Sequence, residues 1–256
     1  TVKTFRGSSS SPNFQNFPIR DSDFAMMIRK SFIPRKGRVL VEVDYSGIEV
    51  GTAACYNKDP VLISYIKDPS KDMHRDIAAQ CYLVKDVTDR MRFCGKNGFV
   101  FPEFYGSSYA DCAKYLWNGI QEFQLKNKDT PLEEHLKRKG INGLGKCDIN
   151  VPPLEGTFEH HIKNVENDFW NRRFKVYAKW KDDWYNEYLK RGFFDTLTGF
   201  RIEGAYRRNE VINYPIQGTA FHCLLWSIIE LQKWLKKEKF RSLIIGEIHD
   251  SLLADV

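Results

Sequence analysis

Two apolar segments near opposite ends of the chain each run into an aspartate, and any fold must accommodate both. In the first, Val39, Val41 and Val43 alternate with Leu40, Glu42 and Asp44, the period-two pattern of a strand with unlike faces, so Asp44 ends a strand. Ile48 to Tyr56 then reads as a helix. In the second, Leu243 to Ile248 and Leu252 to Val256 flank Glu247-Ile248-His249-Asp250-Ser251, which predicts a hairpin with polar groups at its tip, Asp250 among them. Two carboxylates at strand ends in a basic chain are what two-metal phosphoryl transfer requires, because hard oxygens can bridge a pair of magnesium ions. Taken singly, each aspartate reads more simply as a turn residue.

Composition narrows the classes. With 42% hydrophobic and 14% aromatic residues the chain is not of the disordered kind. No apolar run reaches the roughly 18 residues that a membrane span needs, so no membrane partner is expected. The net charge of +6 and pI near 8.9 lean towards polyanions. Cys55, Cys81, Cys94, Cys112, Cys147 and Cys223 are widely spaced without a CxxC pair, which points to reduced thiols and an intracellular setting. Cys147 with His160 and His161 hints at zinc, but no second cysteine pair accompanies them, and surface histidines are the plainer reading. There is no signal or transit segment and no initiator Met, so Thr1 is expected to mark a fragment boundary.

Between the strands the patterns are mostly helical. Residues 1 to 20, rich in Ser, Pro and Asn, predict a structured loop. Pro60 to Leu83 reads as helices and loops, with His74 after an Asp-Met step that can open a helix. Val87 to Tyr105 starts as a helix that puts Arg92 and Lys96 on one face. Lys126 to Pro153 is charged, Gly-rich and irregular, the look of an insertion. Phe169 to Arg191 predicts an aromatic amphipathic helix stopped by Gly192, and Asn213 to Gln217 a loop entering a helix that runs to about Lys239.

The segment RGSSSSPNFQNFPIR, Arg6 to Arg20, resembles a signature of the family A DNA polymerases at Arg6, Pro12, Asn13, Gln15, Asn16, Pro18 and Arg20. DYSGIEV at Asp44 to Val50 resembles the family's first carboxylate motif, and KDMHR around His74 its K-D-I-H-R. Arg92, Lys96, Tyr105 and Gly106 resemble the fingers-helix motif, with one extra residue. NYPIQGTA at Asn213 to Ala220 resembles N-x-P-x-Q-G-T-A, and Ile248-His249-Asp250 the V-H-D of the second carboxylate motif. The motifs follow the family's order over nearly the whole chain.

The resemblance implies an α+β fold: a right-hand palm whose antiparallel sheet presents both aspartates, with a helical fingers subdomain and no thumb. Residues 1–74 would be the first part of the palm, 75–205 the fingers with an insertion near 126–153, and 206–256 the second part of the palm. It implies DNA-directed DNA synthesis on primer-template DNA from deoxynucleoside triphosphates, with two Mg2+ ions held by Asp44, Asp250 and the carbonyl of Tyr45. One ion would activate the primer 3′-hydroxyl and the other neutralise the leaving pyrophosphate. His74, Arg92 and Lys96 would grip the triphosphate, Lys96 also protonating the leaving group. Glu49 would fill the space of a ribose 2′-hydroxyl, and Tyr105 would stack near the templating base and hydrogen-bond Glu49. Arg6, Asn213 and Gln217 would touch minor-groove acceptors common to correct pairs. Asn13 and Gln15 belong to the same DNA-binding set, and His249 would lie beside the primer-terminal phosphate.

Several positions depart from the family. Gly47 replaces a usual Gln, Gly51 a commonly basic position, and Ser251 the usual Glu after the second aspartate, which leaves two metal carboxylates with Glu247 as a fine-tuning group. The stretch between Lys96 and Tyr105 is one residue long and contains Pro102, so it predicts a π-bulge or kink. Counted back from Tyr105, Phe101 takes the site that governs dideoxynucleotide discrimination; counted forward from Lys96, Val100 does. A bulge before Pro102 favours Phe101, and Phe there implies poor dideoxynucleotide use. Variation near 126–153 is of the kind found in phage and viral relatives. The competing readings are a single-subunit RNA polymerase or reverse transcriptase on a related palm, and a nucleic-acid-binding remnant without catalysis.

Overall fold

The two aspartate-bearing segments pair with each other. The computed structural model describes residues 3–11, 13, 15 and 22–256; the motif positions Pro12, Asn16, Pro18 and Arg20 lie outside the described residues. The elements are α1 (Ser22–Lys30), β1 (Leu40–Asp44), α2 (Ile48–Asn57), α3 (Pro60–Lys67), α4 (Met73–Tyr82), α5 (Asp89–Gly95), a π-helical turn (Lys96–Val100), α6 (Phe101–Tyr105) and α7 (Tyr109–Glu122). They continue with β2 (Lys126–Asn127), β3 (Thr130–Pro131), α8 (Leu132–Arg138), α9 (Phe158–Asp168), a second π turn (Phe169–Arg173) and α10 (Lys175–Arg191). The last are β4 (Phe193–Asp195), β5 (Arg201–Glu203), α11 (Arg208–Lys237), β6 (Leu243–Ile248) and β7 (Ser251–Asp255). This is an α+β chain, and it divides into two compact units, Thr1–Tyr56 with Trp184–Val256, and Asn57–Asp183.

In the first unit the sheet order is β1-β7-β6, antiparallel throughout, with Val41 opposite Ala254, Val43 opposite Leu252 and Asp44 opposite Ser251. Directly paired residues project to the same side of a sheet. Leu252 and Ala254 therefore share one face, where they bury with Leu224 against Ile228, Leu231 and Ile244. Full burial of a leucine is worth about 1.5–3 kcal/mol, so this face fixes the register of β7. Glu42, Asp44 and Ser251 are left on the opposite face. Arg35 adds a tie, its Nε 2.6 Å from Oδ2 of the buried Asp255.

A second cluster of the same unit joins Tyr188, Phe194, Ile202 and Val211. It includes the β4–β5 hairpin, which the sequence patterns did not mark. Gly218 lets the N-terminal segment approach α11, since a Cβ there would stand 2.8 Å from the Thr4 carbonyl oxygen. Gly47 has a local reason too: its φ of +65° lies in the left-handed region that glycine tolerates best.

The expected loop at Asn213 to Gln217 is instead part of α11, with Pro215 inside the helix. Proline supplies no N–H to the carbonyl four residues back, which is that of Val211. The Trp184 indole donates to that oxygen at 3.0 Å and takes the missing donor's place. On the other side of the break, the Tyr56 hydroxyl reaches the Pro215 carbonyl at 3.2 Å and Thr219 Oγ1 at 2.7 Å.

In the second unit Tyr82, Phe99, Phe158, Phe169, Phe174 and Tyr177 are fully buried. Asp59, 1% exposed, is held by three backbone donors: Oδ1 accepts from Val61 and Leu62 at the start of α3, and Oδ2 from Tyr177 in the first turn of α10. The expected helix from Phe169 is entered earlier, through α9 and a π turn, and breaks at Phe174 before α10. It stops at Arg191, directly before Gly192, as predicted. The stretch read as irregular holds a small hairpin, β2–β3, and α8, whose Leu132 and Leu136 are one helical turn apart and fully buried. Its remainder is fastened to the start of α9, where Phe158 and Glu159 donate backbone hydrogen bonds to Gly143 and Leu144. His161, expected at the surface, is partly buried with Nε2 3.0 Å from the Gln80 carbonyl oxygen. All six cysteines are free. Among the described residues no helix is long and apolar enough to cross a membrane.

Trp184→Phe should lower the unfolding free energy by about 1–2 kcal/mol, because it leaves the Val211 carbonyl without its donor. In that background Pro215→Ala should recover part of the loss by restoring the helical N–H. A denaturant double-mutant cycle measures this, and strict additivity would contradict the compensation.

Candidate active site

In the first unit, pairing of Asp44 with Ser251 sets Asp44 beside Asp250, and the Tyr45 N–H donates to the Asp250 carbonyl at 3.3 Å. The two carboxyl groups lie near enough to act on each other. Burial and the nearby Asp250 carboxyl with its negative charge, with a smaller push from Glu42, raise the Asp44 carboxyl above its ordinary value. Carboxylates in such contact need a proton or a cation between them. Their oxygens are hard donors, suited to magnesium. Among the described residues no group of three or more His, Cys, Asp or Glu forms a ready metal cage, so a bound ion would keep open positions.

Around this pair, Arg6 Nη1 stands 3.6 Å from Glu49 Oε1, both side chains being about 30% exposed. The Tyr45 hydroxyl is 2.6 Å from Ser227 Oγ on α11. A cavity of about 540 Å³ is lined by Lys3, Arg6, Gln15, Tyr214, Gln217 and His249 among others. Arg6, Gln15, Gln217 and His249, expected to meet DNA, thus share one concavity of cationic and amide groups. Asn13 is exposed, and its Oδ1 accepts from the Gln15 N–H at 3.0 Å, so it shapes the turn. Asn213 sits one turn before Gln217 on α11 and is not one of the lining residues. Gln15 Nε2 donates to Glu247 Oε1 at 2.6 Å, which ties the N-terminal segment to β6.

The second unit carries a separate group. Asp72 caps α4 and accepts from Arg92 Nε. Burial pushes Asp72 upward, but the Arg92 hydrogen bond, that of the Arg75 N–H and the Arg92 charge leave it below its ordinary value. His74 is pushed down to about 4 by burial and by the charges of Arg92 and Lys96, so it is neutral at pH 7. Its buried Nδ1 has no hydrogen-bond partner among the described residues. The π turn at Lys96–Val100 is the bulge the one-residue excess predicted, and its i to i−5 bond runs from the Phe101 N–H to the Lys96 carbonyl. The two counted positions differ in their surroundings. Val100 is fully buried, whereas Phe101 packs its ring 5.6 Å from His74 and 5.0 Å from Lys96 Nζ. Tyr105 follows one turn on, its ring 6.4 Å from Phe101.

Sequence reasoning missed Glu103, two residues before Tyr105 and 2% exposed. Its Oε2 accepts from Trp170 Nε1 at 2.8 Å and its Oε1 from Cys112 Sγ at 3.4 Å. Glu166, which accepts from the Tyr109 N–H at 2.8 Å, lies against it. Burial and the Glu166 charge push Glu103 up to about 8, so the pair holds a proton at neutral pH. The only sequence signal was a carboxylate among the aromatics of FPEFY.

Residues 1–127 match the family described as DNA polymerase family A. The DNA polymerase I of Synechocystis sp. is 43% identical over 265 residues, which take in 100% of this chain and 24% of that protein. The DNA polymerase I of Caldicellulosiruptor bescii is 29% identical over 259 residues, 98% of this chain and 26% of that one. A DNA polymerase of Bacillus phage SP01 is 25% identical over 273 residues, 98% and 25% respectively. The chain thus spans about a quarter of the length of the curated relatives it matches. Among solved structures, the polymerase domain of Pol1 from M. smegmatis, in complex with DNA primer-template and dNTP, has a TM-score of 0.73 at 24% identity. The match covers 100% of this chain and 40% of that one, a likeness of fold.

A group whose folded pKa is raised stabilises the protein fully below its unfolded value and loses that contribution as pH rises through the folded value. The thermal midpoint should therefore fall between about pH 5 and about pH 9 as the Glu103–Glu166 proton is lost. Glu103→Gln keeps the acceptor for Trp170 and should flatten that decline. An unchanged slope in the variant would contradict the shared proton.

Proposed function

We propose, from the premise that this chain belongs to the family A DNA polymerases, that it carries the nucleotidyl-transfer site of a template-directed DNA polymerase, extending a primer 3′-hydroxyl with deoxynucleotides. The observation that carries this is the nearness of Asp44, at the end of β1, to Asp250, in the turn before β7, two carboxylates that a cation would hold together. Asp44, Asp250 and the Tyr45 carbonyl would hold two magnesium ions. When bound, these supply activation of the 3′-hydroxyl for attack on the α-phosphate and neutralisation of the departing pyrophosphate.

The remaining residues bind and orient. Arg92 and Lys96 offer charge to the triphosphate, with neutral His74 near both, and Lys96 Nζ gives a proton to the leaving group. The Arg6 guanidinium steadies Glu49, whose carboxylate occupies the space a ribose 2′-hydroxyl would need, and so favours deoxynucleotides. Tyr105 serves the templating base, while Phe101 presents a ring without a hydroxyl to the incoming sugar. Lys3, Arg6, Gln15, Gln217 and His249 give primer-template DNA a concave seat, Arg6 and Gln217 with Asn213 meeting minor-groove acceptors. In these terms Thr1–Tyr56 with Trp184–Val256 is the palm and Asn57–Asp183 the fingers.

Asp44→Asn in the full-length protein should abolish primer extension with dNTPs while sparing primer-template binding measured by anisotropy, and the unsubstituted protein should use NTPs poorly. Extension that survives the substitution would overturn the assignment. Equal use of NTPs would favour an RNA polymerase.

A further inference from the structure

The resemblance has a glutamate after the second aspartate where this chain has Ser251. Ser251 is 3% exposed, and its hydroxyl has two acceptors: Glu42 Oε1 at 2.8 Å and the Ile248 carbonyl at 3.1 Å. Glu42 precedes Asp44 by two residues on β1 and so projects from the same face. Asp44 is the direct partner of Ser251, and Glu42 pairs with Leu253. The Glu42 carboxylate therefore crosses diagonally from β1 to the first residue of β7, immediately after Asp250. A glutamate on the exposed edge strand β1 with no task would extend into water, whereas this one is turned back towards the aspartate pair and held there.

We propose that Glu42 is a third acidic residue of the site, a positioning residue held by Ser251, whose negative charge strengthens the binding of divalent cations at Asp44 and Asp250. The acidic group missing from β7 is supplied across the ladder by β1. Glu42 does not complete a three-ligand cage; it acts by charge at a distance and by fixing the Ser251 hydroxyl beside Asp250. An exposed charge two residues away acts through a high dielectric, so the effect is graded and weakens with added salt.

This inference rests on the reading of Asp44 and Asp250 as cation ligands, and the test separates the two. Mn2+ binding to the full-length protein is measured by electron paramagnetic resonance, together with the thermal midpoint without metal. Glu42→Gln keeps the acceptor for Ser251 but removes the charge. It should weaken Mn2+ binding by about three- to tenfold at low salt, leave the metal-free midpoint unchanged, and raise the Mn2+ concentration needed for half-maximal extension by a similar factor. Ser251→Glu in the Glu42→Gln background should restore the affinity. Unchanged Mn2+ binding in Glu42→Gln, with binding lost in Asp44→Asn, overturns the role of Glu42 alone. Weakened binding that follows a fall in the metal-free midpoint also overturns it, since Glu42 would then be structural. Unchanged binding in Asp44→Asn overturns the cation reading beneath it.

Discussion

Pairing of β1 with β7 forces two carboxylates into contact, and the rest of the first unit is arranged around that juxtaposition. Like charges at the end of a ladder repel, so the contact has to be held by something stronger. The holding comes from the opposite face of the sheet, where Leu252 and Ala254 are buried against α11 with Leu224. A slip of one residue in β7 would move those side chains to the opposite face and separate Asp44 from Ser251. Apolar burial on one face therefore sets the register that keeps the two carboxyl groups near each other. α11 serves both the sheet and the N-terminal segment, because it buries the sheet and, through Gly218, receives the segment that brings Arg6 to Glu49.

The second unit solves a different problem, the presentation of cations and one aromatic ring from a single helical run. Arg92 and Lys96 share a face because α5 passes into the π turn without losing direction. The turn then absorbs the additional residue so that Phe101 stays beside His74 and Lys96 while Val100 goes into the core. Below this surface the Glu103–Glu166 pair, tied to Trp170, Cys112 and the Tyr109 backbone, anchors α6 to α7 and α9. A proton buried there links the stability of the helix that carries Phe101 and Tyr105 to pH.

What was legible in the sequence followed from local rules. The strand end at Asp44, the hairpin tip at Asp250, the helix from Ile48, the helix opening before His74 and the bulge before Pro102 each depend on a few adjacent residues. What was not legible depended on distant compensation. Pro215 reads as a loop marker, and only the indole of Trp184, far away in sequence, makes the helix tenable. Glu103 looks like a surface carboxylate until Glu166 and Trp170 are packed against it. The small hairpin and α8 were hidden by the charged residues around Leu132 and Leu136, whose spacing of one turn was the only sign of a buried face. Ser251 was visible as a departure, but its link to Glu42 appears only once the register of β1 and β7 is known.

The central claim is that Asp44 and Asp250 share one electrostatic site, and its most direct test is a titration of the Asp44 carboxyl carbon by nuclear magnetic resonance in metal-free protein. The midpoint should lie above the ordinary aspartate value, return towards it in Asp250→Asn, and fall when magnesium is added. An Asp44 midpoint at the ordinary value, indifferent both to Asp250→Asn and to magnesium, would contradict it.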